Sequence, residues 1–368
     1  MSDVKQIPLS KPSIGQEELD AIKNVCESGC LAGTCEETKL FEKEFAAFVG
    51  AKYAVATSNC TTALHLACLA LGVGKKSKVV VPAYTFPATA NAPMYCGASP
   101  EIVDVHPDTW NLDVSKIRTR KPDVLMPVHC FGNPADMVEI YDYSVEREAY
   151  IIEDAACAMP AYIHNKHAGT FGTVGCYSFY AIKNLCTGEG GMLVTDEEEI
   201  AELAHSLCDF GKTTSKPLPR FTRLGYNYRL SSLQAAMGRV QLRKMPELHK
   251  KRLAIAALYD KFVESELSGK VSSQRVLPGH VSAYQRYALR LGFEYDRDTV
   301  LSELAKRGIG CTIGTFDLSS QPLYLNNCNG ISVSKEVFYQ SISLPMYPDL
   351  SIDDAQRVMD ALAEVLKR

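Results

Sequence analysis

The chain has 368 residues, 46% hydrophobic and 22% charged, with a formal net charge of -4. That length exceeds one minimal core and favours two domains, and the balance is that of a globular protein, not a disordered, collagenous or fibrous one. The basic runs, such as HKKR at 249–252, are short and flanked by acids, which excludes a dedicated nucleic-acid-binding face.

In chain order, the first twelve residues, MSDVKQIPLSKP, lack the apolar core of a leader, and no later apolar run is long enough to span a bilayer, so the expected location is the cytoplasm with no membrane partner. Thirteen cysteines, an odd number in such a chain, predict reduced thiols serving as small core residues. Cys26, Cys30 and Cys35 are the densest group, but they form no C-x-x-C pair and have no histidine nearby, so no metal site is expected. YAVATS (53–58) reads as a strand followed by the helix TTALHLACLALG, and KVVVPAY (78–84) as a strand followed by a helix over 85–95. DVLMPVHCFG, YIIEDAA, TVGCYSFYA and GGMLVT supply four more strands, and DEEEIAELAHSL a helix whose acids suit its N-terminus. This alternation predicts an α/β domain with a mostly parallel sheet. From residue 232 a long helix begins, with a break expected at Pro246. We read it as the bridge from a large domain over 1–245 to a smaller α+β domain over 246–368, beside which the N-terminal segment is a candidate to pack. The smaller domain takes in YQRYALRLGF and the terminal helix DDAQRVMDALAEVLKR.

Two nucleotide motifs fail. GKTTSKP at 211–217 ends like a P-loop, but Ser206 stands where the first glycine is needed, and GEGGM at 188–192 lacks the dinucleotide-binding spacing. TSNCTTALHL offers exposed amides and threonine hydroxyls at a helix start, which suits either a phosphate or plain capping by Asn59, Thr61 or Thr62. Glu153 and Asp154 end a strand, where open α/β sheets place ligands; a buried acid there needs a cationic partner, whereas a surface acid merely caps a turn. Lys183 follows a strand and precedes a glycine-rich turn. Partial burial would lower its pKa toward the neutral, nucleophilic amine, and a snorkelling lysine is the alternative. Jointly, a phosphate cradle, a carboxylate and a reactive amine are the parts of a pyridoxal phosphate site.

The segments SNCTTALHLACLALG, VVVPAYTFPATANAPMYCGA, VDVHPDTWNLD, PVHCFGNPADM, IIEDAACA, CYSFYAIKNLCTGEGGMLVT, GYNYRLSSLQAAMGRVQL and SLPMYPDLS, in that order across most of the chain, resemble the DegT/DnrJ/EryC1/StrS family of sugar aminotransferases. The resemblance implies a fold-type-I architecture: a large domain with a mainly parallel seven-stranded sheet, a smaller C-terminal domain, and a homodimer with shared active sites. It implies that Lys183 holds the cofactor aldehyde and shuttles protons, and that Asp154 pairs with the pyridine nitrogen. Ser178 and Thr61, with Cys60 beside them, fall in the phosphate region, and Asn227 reaches the phosphate from the other subunit. Phe86 falls where an aromatic ring stacks on the cofactor, with a core phenylalanine as the competing reading. Cys157 replaces the usual histidine or glutamine and Pro160 a common glycine, so Cys157 either touches the cofactor through sulfur or fills space. Lysine rather than histidine at 183 favours transamination over sugar dehydration. The implied reaction takes an amino group from L-glutamate, or from glutamine or another amino acid, to a keto group of a nucleotide-linked sugar, with pyridoxamine phosphate between the two halves. A cyclitol or other ketone as acceptor, and a non-catalytic sensor of the same fold, are the alternatives. CTIGTFDLSSQPLY (311–324), which matches the family loosely in its first half, is a candidate for substrate choice.

Overall fold

The computed structural model describes residues 5–213, 218–328 and 330–367. The start of the N-terminal stretch (1–4), the end of the rejected GKTTSKP motif (214–217) and Arg368 of the expected terminal helix lie outside them.

Seven short strands make the central sheet: β1 (Tyr53–Thr57), β2 (Val79–Pro82), β3 (Glu101–Val103), β4 (Val124–Leu125), β5 (Tyr150–Asp154), β6 (Val174–Ser178) and β7 (Gly191–Thr195). Their order is β1-β7-β6-β5-β4-β2-β3. The run from β6 to β3 is parallel throughout, and β7 lies antiparallel to both its neighbours. Val79, Val80 and Val81 are buried together, as a strand covered on both faces requires.

Helices α1 (Gln16–Ser28) and α2 (Glu36–Val49) precede the sheet. Next come α3 (Cys60–Ala70), α4 (Ala88–Tyr95), α5 (Met137–Arg147) and α6 (Glu198–Cys208). Leu64, Leu66 and Ala67 of α3 pack with Val81, Ile152 and Leu193 of the sheet in one core layer. Phe41 and Phe45 of α2 meet Tyr177, Phe179 and Met192 in a second layer. The helix expected over 85–95 starts only at Ala88, because Tyr84 and Thr85 pair with Phe316 and Asp317 in a two-residue ladder.

The break expected at Pro246 is absent: α7 runs from Ser232–Glu266 through the proline. Proline removes one backbone donor, but Leu242, Met245, Leu248, His249 and Arg252 are all buried around it, and packing on both sides outweighs that loss. Capping at Ser231 by Gln234 fixes the start of α7. Beyond α7, β8 (Val271–Ser273), β9 (Tyr287–Leu291), β10 (Thr312–Ile313) and β11 (Ser341–Leu344) form an antiparallel sheet in the order β8-β9-β11-β10. Helices α8 (Arg297–Lys306), α9 (Val333–Gln340) and α10 (Ile352–Val365) surround it. Its core joins Ile255 and Tyr259 of α7 to Leu289, Ile342 and Leu362, and Ile7 from the N-terminal segment inserts into the same cluster.

The expectation of reduced thiols fails at one place. Cys30 and Cys35 form a disulfide, because the loop between α1 and α2 turns back and brings their Cα atoms to 6.1 Å. Cys60, Cys68, Cys130, Cys176, Cys186 and Cys208 are free and buried, as small core residues should be.

Candidate active site

Successive residues of a strand face opposite sides of the sheet, so Glu153 and Asp154 part company at the end of β5. Glu153 turns to a backbone nest: its carboxylate accepts from the amides of Gly169 at 2.7 Å, Phe171 at 2.6 Å and Gly172 at 2.5 Å, and lies 2.9 Å from His129 Nε2. It is thereby a structural acid. Asp154 faces a cavity. Thr89 Oγ1 donates to its Oδ2 at 2.7 Å and the Ala156 amide to its Oδ1 at 3.1 Å. Burial pushes the Asp154 carboxyl above its ordinary range, and the Thr89 hydroxyl, the Ala156 amide, Lys183 and His129 pull the other way. Among the described residues no cationic side chain comes within ion-pair distance of it.

β6 ends at Ser178, earlier than the strand read over 173–181, and Lys183 sits on the irregular segment that follows. A bond from the Lys183 amide to the Tyr180 carbonyl at 2.8 Å turns that segment. The Lys183 side chain is half-buried, and its Nζ lies 3.0 Å from Cys157 Sγ. Gly188, at a φ of 80°, then makes the reversal into β7. Where β7 begins, a Cβ on Gly191 would stand 2.5 Å from the Asn59 carbonyl carbon and 2.7 Å from the Cys60 amide. Only glycine lets β7 pass the start of α3 so closely.

At that start the capping reading holds for Asn59 and Thr62, and Thr61 is left facing the cavity. Asn59 is the cap: its side chain accepts from the Thr62 amide at 2.9 Å, and Thr62 Oγ1 bonds back to the Asn59 carbonyl at 2.7 Å. Thr61 makes no hydrogen bond with a described residue through its hydroxyl and lines the cavity, so it is the residue left for a ligand. Among the described residues, Ser178 Oγ receives only the Tyr180 amide, at 3.4 Å.

One cavity of about 880 Å³ joins these groups. Lys183, Asp154, Ser178, Thr61, Cys60, Phe86 and Cys157 all line it. Phe86 is 61% exposed, which removes the core reading, and its ring centroid lies 6.1 Å from that of Phe316. Asn227 does not line this cavity; it is exposed, bridged through its backbone to Asp209, while its neighbour Tyr228 forms part of the wall. Thr312 to Phe316, from the segment read as a candidate for substrate choice, close the far wall with Gln285 and Arg286. Thr89, Gln285 and Arg286 were not legible as site residues. Thr89 and Arg286 carry no local motif, and only the chain path brings them to the acid and the cavity.

The DegT/DnrJ/EryC1/StrS aminotransferase family model matches residues 12–363. The chain belongs to this family. The GDP-perosamine synthase of Caulobacter vibrioides is 32% identical over 372 residues that cover 100% of both chains. The aminotransferase TlmJ from Streptoalloteichus hindustanus superposes with a TM-score of 0.93 at 31% identity, covering 99% of each chain. S. venezuelae DesV does so with a TM-score of 0.89 at 31% identity, covering 96% of this chain and 95% of its own. As a DegT family member this protein is a pyridoxal phosphate-dependent aminotransferase of the fold-type-I class, with the mainly parallel seven-stranded sheet that class implies.

The cavity fits the family cofactor. Asp154 is a buried carboxylate with no cationic side chain of a described residue at ion-pair distance, and a protonated pyridine nitrogen would fit that place. The unbonded Thr61 hydroxyl and the first amides of α3 suit a phosphate, and Lys183 presents an amine to the same space. Among the described residues no His, Cys, Asp and Glu cluster suits a metal ion, and no helix is long and apolar enough to cross a membrane.

Proposed function

We propose that this aminotransferase moves an amino group from L-glutamate, or another amino acid, to a keto group of a nucleotide-linked sugar, giving an amino sugar nucleotide. The observation that carries the reading is one cavity holding an amine without an acidic partner among the described residues, a buried carboxylate without a described cation at ion-pair distance and a helix-start hydroxyl not used in capping, in a chain 32% identical over its whole length to a GDP-perosamine synthase. Lys183 would hold the cofactor and move the proton between the donor carbon and the cofactor in one half-reaction, and back in the other. Asp154, held by Thr89 and the Ala156 amide, would keep the ring nitrogen protonated. Ser178, Thr61 and the start of α3 would hold the phosphate, with Cys60 packed beneath. Phe86 and Cys157 would flank the ring, the thiol standing where it also meets Lys183. Bound there, pyridoxal phosphate would supply the electron sink and the carrier for the amino group.

Asn227, exposed and off its own cavity, supports a homodimer in which it reaches the partner's phosphate site. The main cores around the two sheets, with α7 running from one to the other, support a large domain over 1–245 and a small one over 246–368; Ile7 packs in the second core, as the N-terminal segment was expected to, and Leu318, Tyr324 and Ile331 return to the first. We place the enzyme in the cytoplasm, where nucleotide sugars are made. The test is an absorbance titration. L-glutamate should convert the bound cofactor to its pyridoxamine form, and one member of a panel of keto-sugar nucleotides should restore it. A panel in which only cyclitol or simple ketones restore it would overturn the sugar-nucleotide reading. Failure of every amino acid to convert the cofactor would overturn transamination.

A further inference from the structure

A transaminase must accept two unlike substrates in one cavity, an acidic amino donor and a ketone, and the cavity wall offers a way to do it. Among its lining residues only Lys183 and Arg286 carry a positive charge. Lys183 is committed to the cofactor on the reading above, on which this inference rests. Arg286, half-buried just before β9, makes no ion pair with any described acid. Its Nη1 rests on two backbone carbonyls, Gly314 at 3.0 Å and Ile313 at 3.4 Å, and the remaining donors of the guanidinium fork meet no described residue. The ledge it rests on is itself fixed. The Thr315 amide donates to Tyr84 Oη at 3.2 Å, and Tyr84 Oη bonds Ser341 Oγ at 2.7 Å. Gln285, next in the chain, ties the same wall to the lysine segment through its amide to the Ile182 carbonyl at 3.0 Å and its backbone to Phe131. Arg286 thus lines the same cavity as Asp154 and Lys183, held against its wall by the Gly314 and Ile313 carbonyls.

We infer that Arg286 binds a carboxylate of the amino donor and of the 2-oxo acid derived from it. A donor whose Cα is at Lys183 carries its α-carboxylate one bond away, inside the cavity that Arg286 also lines, and a planar fork with free N–H groups is the group suited to it. The carbonyl ledge explains tolerance of the second substrate. With a neutral sugar ring in place the guanidinium keeps the Gly314 and Ile313 oxygens as partners, and no bare cation is buried.

The experiment uses the cofactor-loaded enzyme and its Arg286→Gln and Arg286→Lys variants, with L-glutamate, 2-oxoglutarate and the pyridoxamine form as probes. In Arg286→Gln the L-glutamate concentration for half-conversion should rise on the order of 30-fold, the size of a lost charge-assisted pair, and 2-oxoglutarate binding by calorimetry should weaken equally. Arg286→Lys should recover part of the loss. Reoxidation of the pyridoxamine form by its keto-sugar nucleotide should change by less than about 3-fold, since that step presents no carboxylate to the fork. An unchanged glutamate dependence, or a loss confined to the sugar, would overturn the assignment. So would equal losses for donor and acceptor in both variants, which mark a structural role. If wild-type enzyme shows the Arg286-dependent donor step and no sugar nucleotide completes the cycle, the substrate reading fails and the carboxylate assignment stands.

Discussion

Thr89→Val removes one hydroxyl from beneath the cofactor site and keeps the shape. In the native protein Thr89 is fully buried and bonds Asp154 at 2.7 Å and Thr85 Oγ1 at 2.9 Å, so the hydroxyls form a short chain ending on a buried acid. Valine leaves Asp154 with the Ala156 amide alone and strands the Thr85 hydroxyl. A hydrogen bond to a charged group contributes about 1.5–3 kcal/mol and one between neutral groups about 0.5–1.5 kcal/mol. The loss therefore depends on the ionisation of Asp154. Its folded pKa already lies above its ordinary value because of burial, so this group favours the fold most below the unfolded carboxylate value and loses that contribution as pH rises through the folded one. Removing a donor that lowers the pKa raises it further. The destabilisation in cofactor-free protein should then be about 2 kcal/mol at pH 7.5 and about 1 kcal/mol near pH 4.5. Urea unfolding at both pH values, with Thr89→Ser as the variant that restores the donor, measures it. An equal loss at the two pH values, or none at pH 7.5, would refute the claim that Thr89 serves the ionised acid.

Three further outcomes are expected. Lys183→Ala should bind pyridoxal phosphate without the covalent absorbance band and lose turnover by at least about 1000-fold; normal turnover would remove Lys183 from the chemistry. Gly191→Ala should weaken cofactor binding at least tenfold in a fluorescence titration and cost about 1–3 kcal/mol in unfolding, because its Cβ meets the backbone of Asn59 and Cys60, which cannot rotate away. A mixed dimer of Asn227→Ala and Lys183→Ala chains should keep about one active site of the two, since one site then holds both residues intact; inactivity of the mixed dimer, with each homodimer inactive, would argue against sharing across the interface.

Strand alternation, the apolar helices and the strand-end acid were all legible, because periodicity and strand ends are local. Asp154 and Lys183 stand out locally as a strand-end carboxylate and an amine before a glycine turn, each with a surface role as the open alternative. Their roles came from the resemblance, which covers most of the chain. Packing overrides local pattern at several positions. Pro246 reads as a helix breaker, yet the faces it joins are buried on both sides of α7 and the helix continues. Cys30 and Cys35 read as two unrelated thiols until the loop between α1 and α2 folds back. At the start of α3 the sequence does not separate capping from ligand binding, and the structure gives the capping to the Asn59–Thr62 pair and leaves the Thr61 hydroxyl on the cavity wall. Glu153 and Asp154, adjacent and equivalent on the page, acquire opposite duties from the two faces of one strand. The chemistry-bearing residue types and their strand-and-turn settings were therefore written in the sequence. Which of them share one cavity, and that Thr89 and Arg286 join them, was decided by the tertiary structure, since burial and hydrogen bonding between residues tens to hundreds of positions apart leave no local signal.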